Sequence, residues 1–198
     1  MIIAVTDRKI CRKEFMGQVE AIASSRPDML ILREKDMTES GYGRLAVQCS
    51  EICGRHNVPF CVNSFIDVAA AIGSVRIQMP FAAFADNIER LKDFKERWVS
   101  VHSADEAAEA ERMGATHLIF GNVYETSCKP GAEGKGVPQL RKITDSVNIP
   151  VFAIGGISAE NVNDVMGTGC AGICVRSILM DAESPGTVME GLRQRCAE

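Results

Sequence analysis

Short apolar runs recur along the chain, each followed by a longer stretch of mixed polarity. The runs fall at 2–6, 29–33, 60–63, 75–78, 98–102, 117–121, 151–154 and 172–176. They are short and rich in aliphatic residues, which is the signature of buried strands. The stretches between them read as helices, for example over 14–24, 41–55, 105–113 and 159–166. In the second of these, Leu45, Val47, Cys49, Ile52 and Cys53 fall at helix-compatible positions. Ser103 precedes Glu106 by three, the spacing of a capping box, and Ser158 supplies an N-cap for its helix. Gly114 and Gly167 suit helix ends, while Asn57-Val58-Pro59 and Asn148-Ile149-Pro150 break the chain before a strand. Strands alternating with helices imply parallel pairing through right-handed crossovers. Eight such units predict a (β/α)8 TIM barrel, a single domain over residues 1–198; an open doubly wound sheet is the alternative.

Composition narrows the function classes. A chain of 198 residues supports one substantial core. A net charge of -4 gives no basic field for nucleic acid. No stretch has the length and apolarity of a membrane span. The chain opens directly on strand-like Met1-Ile2-Ile3-Ala4-Val5, so no leader peptide and a cytoplasmic location are expected. The eight cysteines include no C-x-x-C pair. Cys49 and Cys53, like Cys170 and Cys174, are four apart with no clustered histidines, and Cys61 and Cys174 lie within apolar runs. Reduced thiols acting as small hydrophobes are expected, with no metal centre.

Chemistry in such a barrel gathers at the C-terminal strand ends, and phosphate often binds after strands seven and eight. Gly155-Gly156 ends strand seven and Ile157-Ser158 opens the next helix, a combination suited to an anion. Ser177 and Arg176 at the end of strand eight add a hydroxyl and a cation. Arg33 and Lys35 flank Glu34 after strand two, either as two converging cations or as a solvated loop neutralised by Glu34. Asn63 ends strand three and both donates and accepts. Ser100 and His102 end strand five on one face; His102 is either a general base or a cap for the following helix. His117 begins strand six at the stability end of the barrel, and His56 lies at the surface. After strand six come Asn122, Thr126, Cys128 and Lys129, in a loop over 123–137 with glycines at 131, 134 and 136 that suits a lid.

Several segments, in order, resemble the thiamine phosphate synthase / TenI superfamily over nearly the whole chain. They are Leu32-Arg33-Glu34-Lys35-Asp36, Val62-Asn63 with Asp67-Val68-Ala69, Ser100-Val101-His102-Ser103, residues 121–129, Ala153-Ile154-Gly155-Gly156-Ile157, and Ser177. The resemblance implies a (β/α)8 barrel that handles a phosphorylated thiazole in thiamine biosynthesis. In the synthase branch a pyrimidine pyrophosphate is joined to thiazole phosphate, with magnesium on the pyrophosphate. That branch implies Arg33, Lys35, Asn63, Ser100 and Lys129 on the pyrimidine-pyrophosphate side, and Thr126, Gly156 and Ser177 on the thiazole-phosphate side. Its first magnesium aspartate falls at Ser64 and its second near Phe81, within Gln78-Met79-Pro80-Phe81, and its glutamine falls at Ile31. The TenI branch shares the wording of residues 124–129 and Gly134-Lys135-Gly136-Val137, and resembles this chain at His102. It places a second histidine where this chain has Asn122.

The expectation is therefore a TenI-like, metal-independent thiazole tautomerase. His102, Asn122 and Lys129 form its catalytic set; Arg33, Lys35, Asn63, Ser100, Thr126, Cys128, Gly155, Gly156, Arg176 and Ser177 bind the ligand. No resident cofactor is expected, magnesium entering only for a synthase. The expected partner is a small phosphorylated heterocycle, thiazole phosphate, with no nucleic acid and no membrane, and with a homodimer left open. The alternatives are a thiamine phosphate synthase or a non-catalytic binding protein.

Overall fold

Parallel strands pair in sequence order and the last returns to the first, closing a barrel. The computed structural model describes residues 1–126, 131 and 133–196. The strands are β1 (Ile2–Val5), β2 (Met29–Leu32), β3 (Phe60–Asn63), β4 (Arg76–Pro80), β5 (Glu96–Val101), β6 (His117–Gly121), β7 (Val151–Ile154) and β8 (Gly172–Val175). Around them run α1 (Phe15–Ser24), α2 (Glu39–Arg55), α3 (Ile66–Ala71), α4 (Phe81–Asp86), α5 (Ile88–Leu91), α6 (Ala104–Arg112), α7 (Gly136–Ser146), α8 (Val162–Met166), α9 (Ser177–Met180) and α10 (Pro185–Cys196). Closure is made by β1 on β8, with Ile3 opposite Cys174 and Ala4 opposite Val175. The expected strands match these within two residues, and the open-sheet alternative is excluded.

Side chains alternate across each strand, so a closed sheet sorts them into two cores. Ile3, Val5, Met29, Ile31, Cys61, Trp98, Ile119, Phe152 and Cys174 fill the barrel interior. Their neighbours in sequence, such as Ala4, Leu30, Val62, Val99, Phe120 and Ile173, face the helices. Full burial of each large apolar side chain contributes roughly 1.5–3 kcal/mol. Burial pushes the Cys61 and Cys174 thiols up, which suits inert packing groups. No helix among the described residues is long and apolar enough to cross a membrane.

Local signals set the helix starts. Thr38 caps α2 by accepting from Gly41 N at 3.3 Å. Ser103 caps α6 through Glu106 N at 3.1 Å, while the Glu106 carboxylate reaches one residue further back than a capping box, to His102 N at 2.6 Å. One expectation fails: Ser158 does not open a helix. Its N–H donates to Asn161 Oδ1 at 2.9 Å, and Asn161 Nδ2 donates to Gly156 O at 2.9 Å. These bonds build a separate turn, and α8 starts only at Val162.

The lower end of the barrel is a stacked plug. The His117 ring lies on Trp98 at 4.0 Å between centroids, and Trp98 packs on Phe152 at 4.8 Å. Thr116 Oγ1 bonds His117 Nδ1 at 2.9 Å. Burial holds the His117 imidazole below its usual pKa. The unfolded chain therefore takes up a proton near pH 6.5 before the folded chain does, so stability is lost as pH falls from about 6.5 through the lowered folded pKa. We expect the urea midpoint to fall between pH 7 and pH 5, and the fall to shrink in His117→Phe relative to wild type.

Candidate active site

A cavity of about 370 Å³ opens at the C-terminal ends of the strands. Its floor is apolar, made by Val5, Ile119, Ile154 and Cys174, where the interior core stops. The walls are polar and arrive from separate strands.

After β2, Arg33 and Lys35 both line the cavity. Glu34 between them is not the solvated neutraliser that spacing allowed. It is 3% exposed and turns toward β1. Its Oε1 accepts from Thr6 Oγ1 at 2.8 Å and from Arg8 N at 3.1 Å. Thr6 Oγ1 in turn accepts from Arg33 N at 2.9 Å. Burial raises the Glu34 carboxyl above the usual glutamate range, with the Thr6 and Arg8 bonds opposing. Pinning Glu34 sets the turn that leaves its two neighbours at the cavity.

From β3 to β5 the inward positions form a chain of amides and a hydroxyl. Asn63 Nδ2 donates to Gln78 Oε1 at 2.6 Å, and Gln78 Nε2 donates to Ser100 Oγ at 2.8 Å. Tyr42 of α2 braces the same corner, donating to Leu32 O at 2.5 Å and accepting from Asn63 N at 3.0 Å. Asn63 and Ser100 were expected at the site; Gln78 was not. The signal available was its parity, since residue 78 lies two beyond Arg76 on the inward face of β4. His102 also lines the cavity, and its Nδ1 lies 2.8 Å from Gly121 O. A carbonyl only accepts, so Nδ1 donates and a neutral ring presents Nε2 as acceptor. Its side chain does not cap α6, which Ser103 does.

From β6 to β8 the cavity is closed by Asn122, Thr126, Gly155, Gly156, Arg176 and Ser177. Asn122 is 6% exposed, and its amide donates to Tyr124 O at 3.1 Å and to Glu133 O at 3.4 Å. It therefore braces the loop after β6. Gly155 and Gly156 have φ of +106° and +65°. A methyl on Gly155 would stand 2.5 Å from Asn122 Cβ, and one on Gly156 2.5 Å from Glu125 O. The glycine pair lets this loop lie against β7, with a role beyond turning the chain. The helix N-terminus expected here for an anion is displaced to Val162, while the short α9 opens at Ser177. Arg176 Nη1 lies 3.6 Å from Asp7 Oδ2. Cys128, Lys129 and the centre of the expected lid lie outside the described residues.

Residues 2–179 match the family described as thiamine monophosphate synthase. The chain belongs to this family. It is 37% identical to the thiamine-phosphate synthase of Clostridium acetobutylicum over 182 residues, 90% of this chain and 86% of that one. It is 34% identical to thiamine-phosphate synthase 2 of Streptococcus pneumoniae serotype 4, over 86% of this chain and 82% of that protein. Among solved structures it is similar to thiamine phosphate pyrophosphorylase from Pyrococcus furiosus, with a TM-score of 0.85 and 29% identity, covering 99% and 95% of the two chains. These findings overturn the tautomerase expectation: the relatives are named synthases, and none of these is named for the TenI branch. The geometry supplies a physical reason in the same direction, because the Asn122 amide donates to two carbonyls and neither takes up nor releases a proton near neutral pH.

Within this synthase family magnesium is the group to test against the residues present. The family resemblance puts its two magnesium aspartates at Ser64 and near Phe81. Phe81 packs against the outer core. Ser64 sits at φ +65°, with its N–H on Gln78 O at 2.9 Å. Asp67 is exposed and paired with Arg90 at 2.6 Å. Glu125 is the one carboxylate among the described residues lining the cavity. Among the described residues no three His, Cys, Asp or Glu side chains cluster as a metal set. Magnesium takes hard oxygens, usually one or two carboxylates beside substrate phosphates. The described donor set does not fit it. For the glycine corner, Gly156→Ala forces a side chain into the left-handed region and onto Glu125 O. We expect a loss of roughly 1–3 kcal/mol in urea unfolding, together with weaker inorganic phosphate binding by calorimetry.

Proposed function

We propose that this chain is a thiamine-phosphate synthase, a transferase that joins a pyrimidine pyrophosphate to a thiazole phosphate. The observation that carries the reading is one cavity with two separate anion-holding corners. Arg33 and Lys35 form one after β2; Gly156, Arg176 and Ser177 form the other after β7 and β8. An isomerase acting on a single phosphorylated ring needs one such corner, whereas coupling of two phosphorylated rings uses both. The apolar floor supports two flat rings brought into contact, which removes much of the entropic barrier of a two-substrate reaction.

In this reading the thiazole ring nitrogen attacks the carbon that carries the pyrophosphate. The C–N bond forms as the C–O bond breaks, and pyrophosphate leaves with the electron pair. The nitrogen becomes cationic and releases no proton, so the step requires no base at residue 122. Arg33 and Lys35 stabilise the charge that develops on the departing pyrophosphate. Thr126 and Ser177 orient the thiazole phosphate. The poor fit to magnesium favours one second reading, a binding protein that holds both rings without joining them.

The test is incubation of the full chain with both substrates, following thiamine phosphate and pyrophosphate release. The expected result is coupled formation of both, with Arg33→Ala lowering kcat/KM by about 10²–10³. Tight binding of both substrates by calorimetry, with no thiamine phosphate on long incubation, would overturn the synthase reading in favour of the binding protein.

A further inference from the structure

The corner after β2 gathers positive charge with no acid on the same wall. From β2 to β4 the described lining is Arg33, Lys35, Asn63, Gln78 and Pro80, two cations among neutral groups. The acids nearby in sequence are held elsewhere. Glu34 bonds Thr6 and the Arg8 backbone, Asp36 pairs with Arg8 at 2.8 Å and Lys9 at 3.1 Å, and Asp67 pairs with Arg90 at 2.6 Å. Two neutral oxygens of the wall, Gln78 Oε1 and Ser100 Oγ, already accept hydrogen bonds, at 2.6 and 2.8 Å. Glu125, the one carboxylate of the described lining, belongs to the glycine corner: Tyr124 N before it bonds Gly155 O at 3.0 Å, and a methyl on Gly156 would stand 2.5 Å from Glu125 O. Within the loop after β6, positions 127–130 and 132 carry Lys129 and no acid. Magnesium gives up water reluctantly and is retained where one or two carboxylates share it with substrate phosphates. A pyrophosphate that already chelates magnesium has part of its charge neutralised and brings a further cation toward Arg33 and Lys35. The uncomplexed anion offers its full charge to a guanidinium fork and an ammonium beside an apolar floor.

From this arrangement we propose that the corner formed by Arg33 and Lys35 takes the pyrophosphate group as the metal-uncomplexed anion, so that magnesium competes with the protein for this ligand and weakens its binding. The two side chains then meet the charge that develops on the leaving group, and the bonds made and broken are those of the coupling already described. The inference rests on the synthase reading for the identity of the pyrophosphate ester, but its binding consequence stands without turnover.

The experiment is calorimetry on the full chain with inorganic pyrophosphate at one ionic strength, once in EDTA and once in excess magnesium. Wild type is expected to bind in EDTA, and the apparent Kd to rise by roughly three- to tenfold in magnesium as the uncomplexed anion is depleted. In EDTA, Arg33→Ala and Lys35→Ala should each weaken binding by about tenfold or more. No binding in EDTA, or an affinity that magnesium leaves unchanged or improves, overturns the proposal. A Kd that neither variant moves, with both folded by circular dichroism, places the anion elsewhere and overturns it too. If the variants unfold, the wild-type comparison decides. Turnover separates this inference from the reading it rests on. Thiamine phosphate formed from both substrates only when magnesium is added would sink the inference and keep the synthase reading. Pyrophosphate binding weakened by magnesium, with no thiamine phosphate formed in either condition, would sink the synthase reading and leave the inference standing.

Discussion

The two-fold alternation of side chains along a strand, closed into a ring, is the constraint on which this molecule depends. Once β1 pairs with β8, every second residue of every strand must point at one axis. Such positions have little room, so their occupants are either apolar and interlocked or polar and bonded to each other. The lower layers take the first solution, with Trp98, Phe152 and Met29. The top layer takes the second, with Asn63, Gln78 and Ser100 in one hydrogen-bonded line. The cavity begins where bulky interior residues give way to Ser100, Gly121 and the glycine pair. The site is therefore the unfilled top of the same core that stabilises the fold.

Strand positions were legible because the barrel demands short, buried, aliphatic runs, and few other arrangements would tolerate eight of them. The polar residues that end those runs were legible for the same reason, since parity alone aims Arg33, Asn63, Ser100 and His102 inward. What spacing did not carry was the partner of each polar group. Glu34 looked like a neutralising charge in a loop, yet Thr6 and Arg8, distant in sequence, draw it into the wall. Ser158 had the chemistry of an N-cap, but the Asn161 side chain bonds Ser158 N and Gly156 O and holds a turn instead. Gln78 sits between Ile77 and Met79 and reads as one polar residue in a strand; its meaning lies in neighbours on two other strands.

Asn122 shows how one residue can change the expected chemistry without disturbing the site. A carboxamide cannot shuttle a proton near neutral pH, which is a defect in a tautomerase and neutral in a coupling that forms a cationic ring. The same amide nitrogen satisfies two carbonyls of the loop after β6. Buried carbonyls left unpaired are costly, so the residue is well matched to holding the loop over the glycine pair.

The electrostatics of the rim follow from the same pairing. The chain is acidic overall, with a net charge of -4. Around the mouth, however, acids are engaged by their own neighbours: Asp36 by Arg8 and Lys9, Asp67 by Arg90, Asp7 near Arg176, and Glu34 by Thr6 and the Arg8 backbone. Arg33 and Lys35 stand beside a cavity whose described lining holds a single carboxylate. A low-dielectric floor strengthens the field of those cations on any anion that enters. In the proposed synthase reading, the attraction for pyrophosphate comes from Arg33 and Lys35, which flank the buried Glu34 turn.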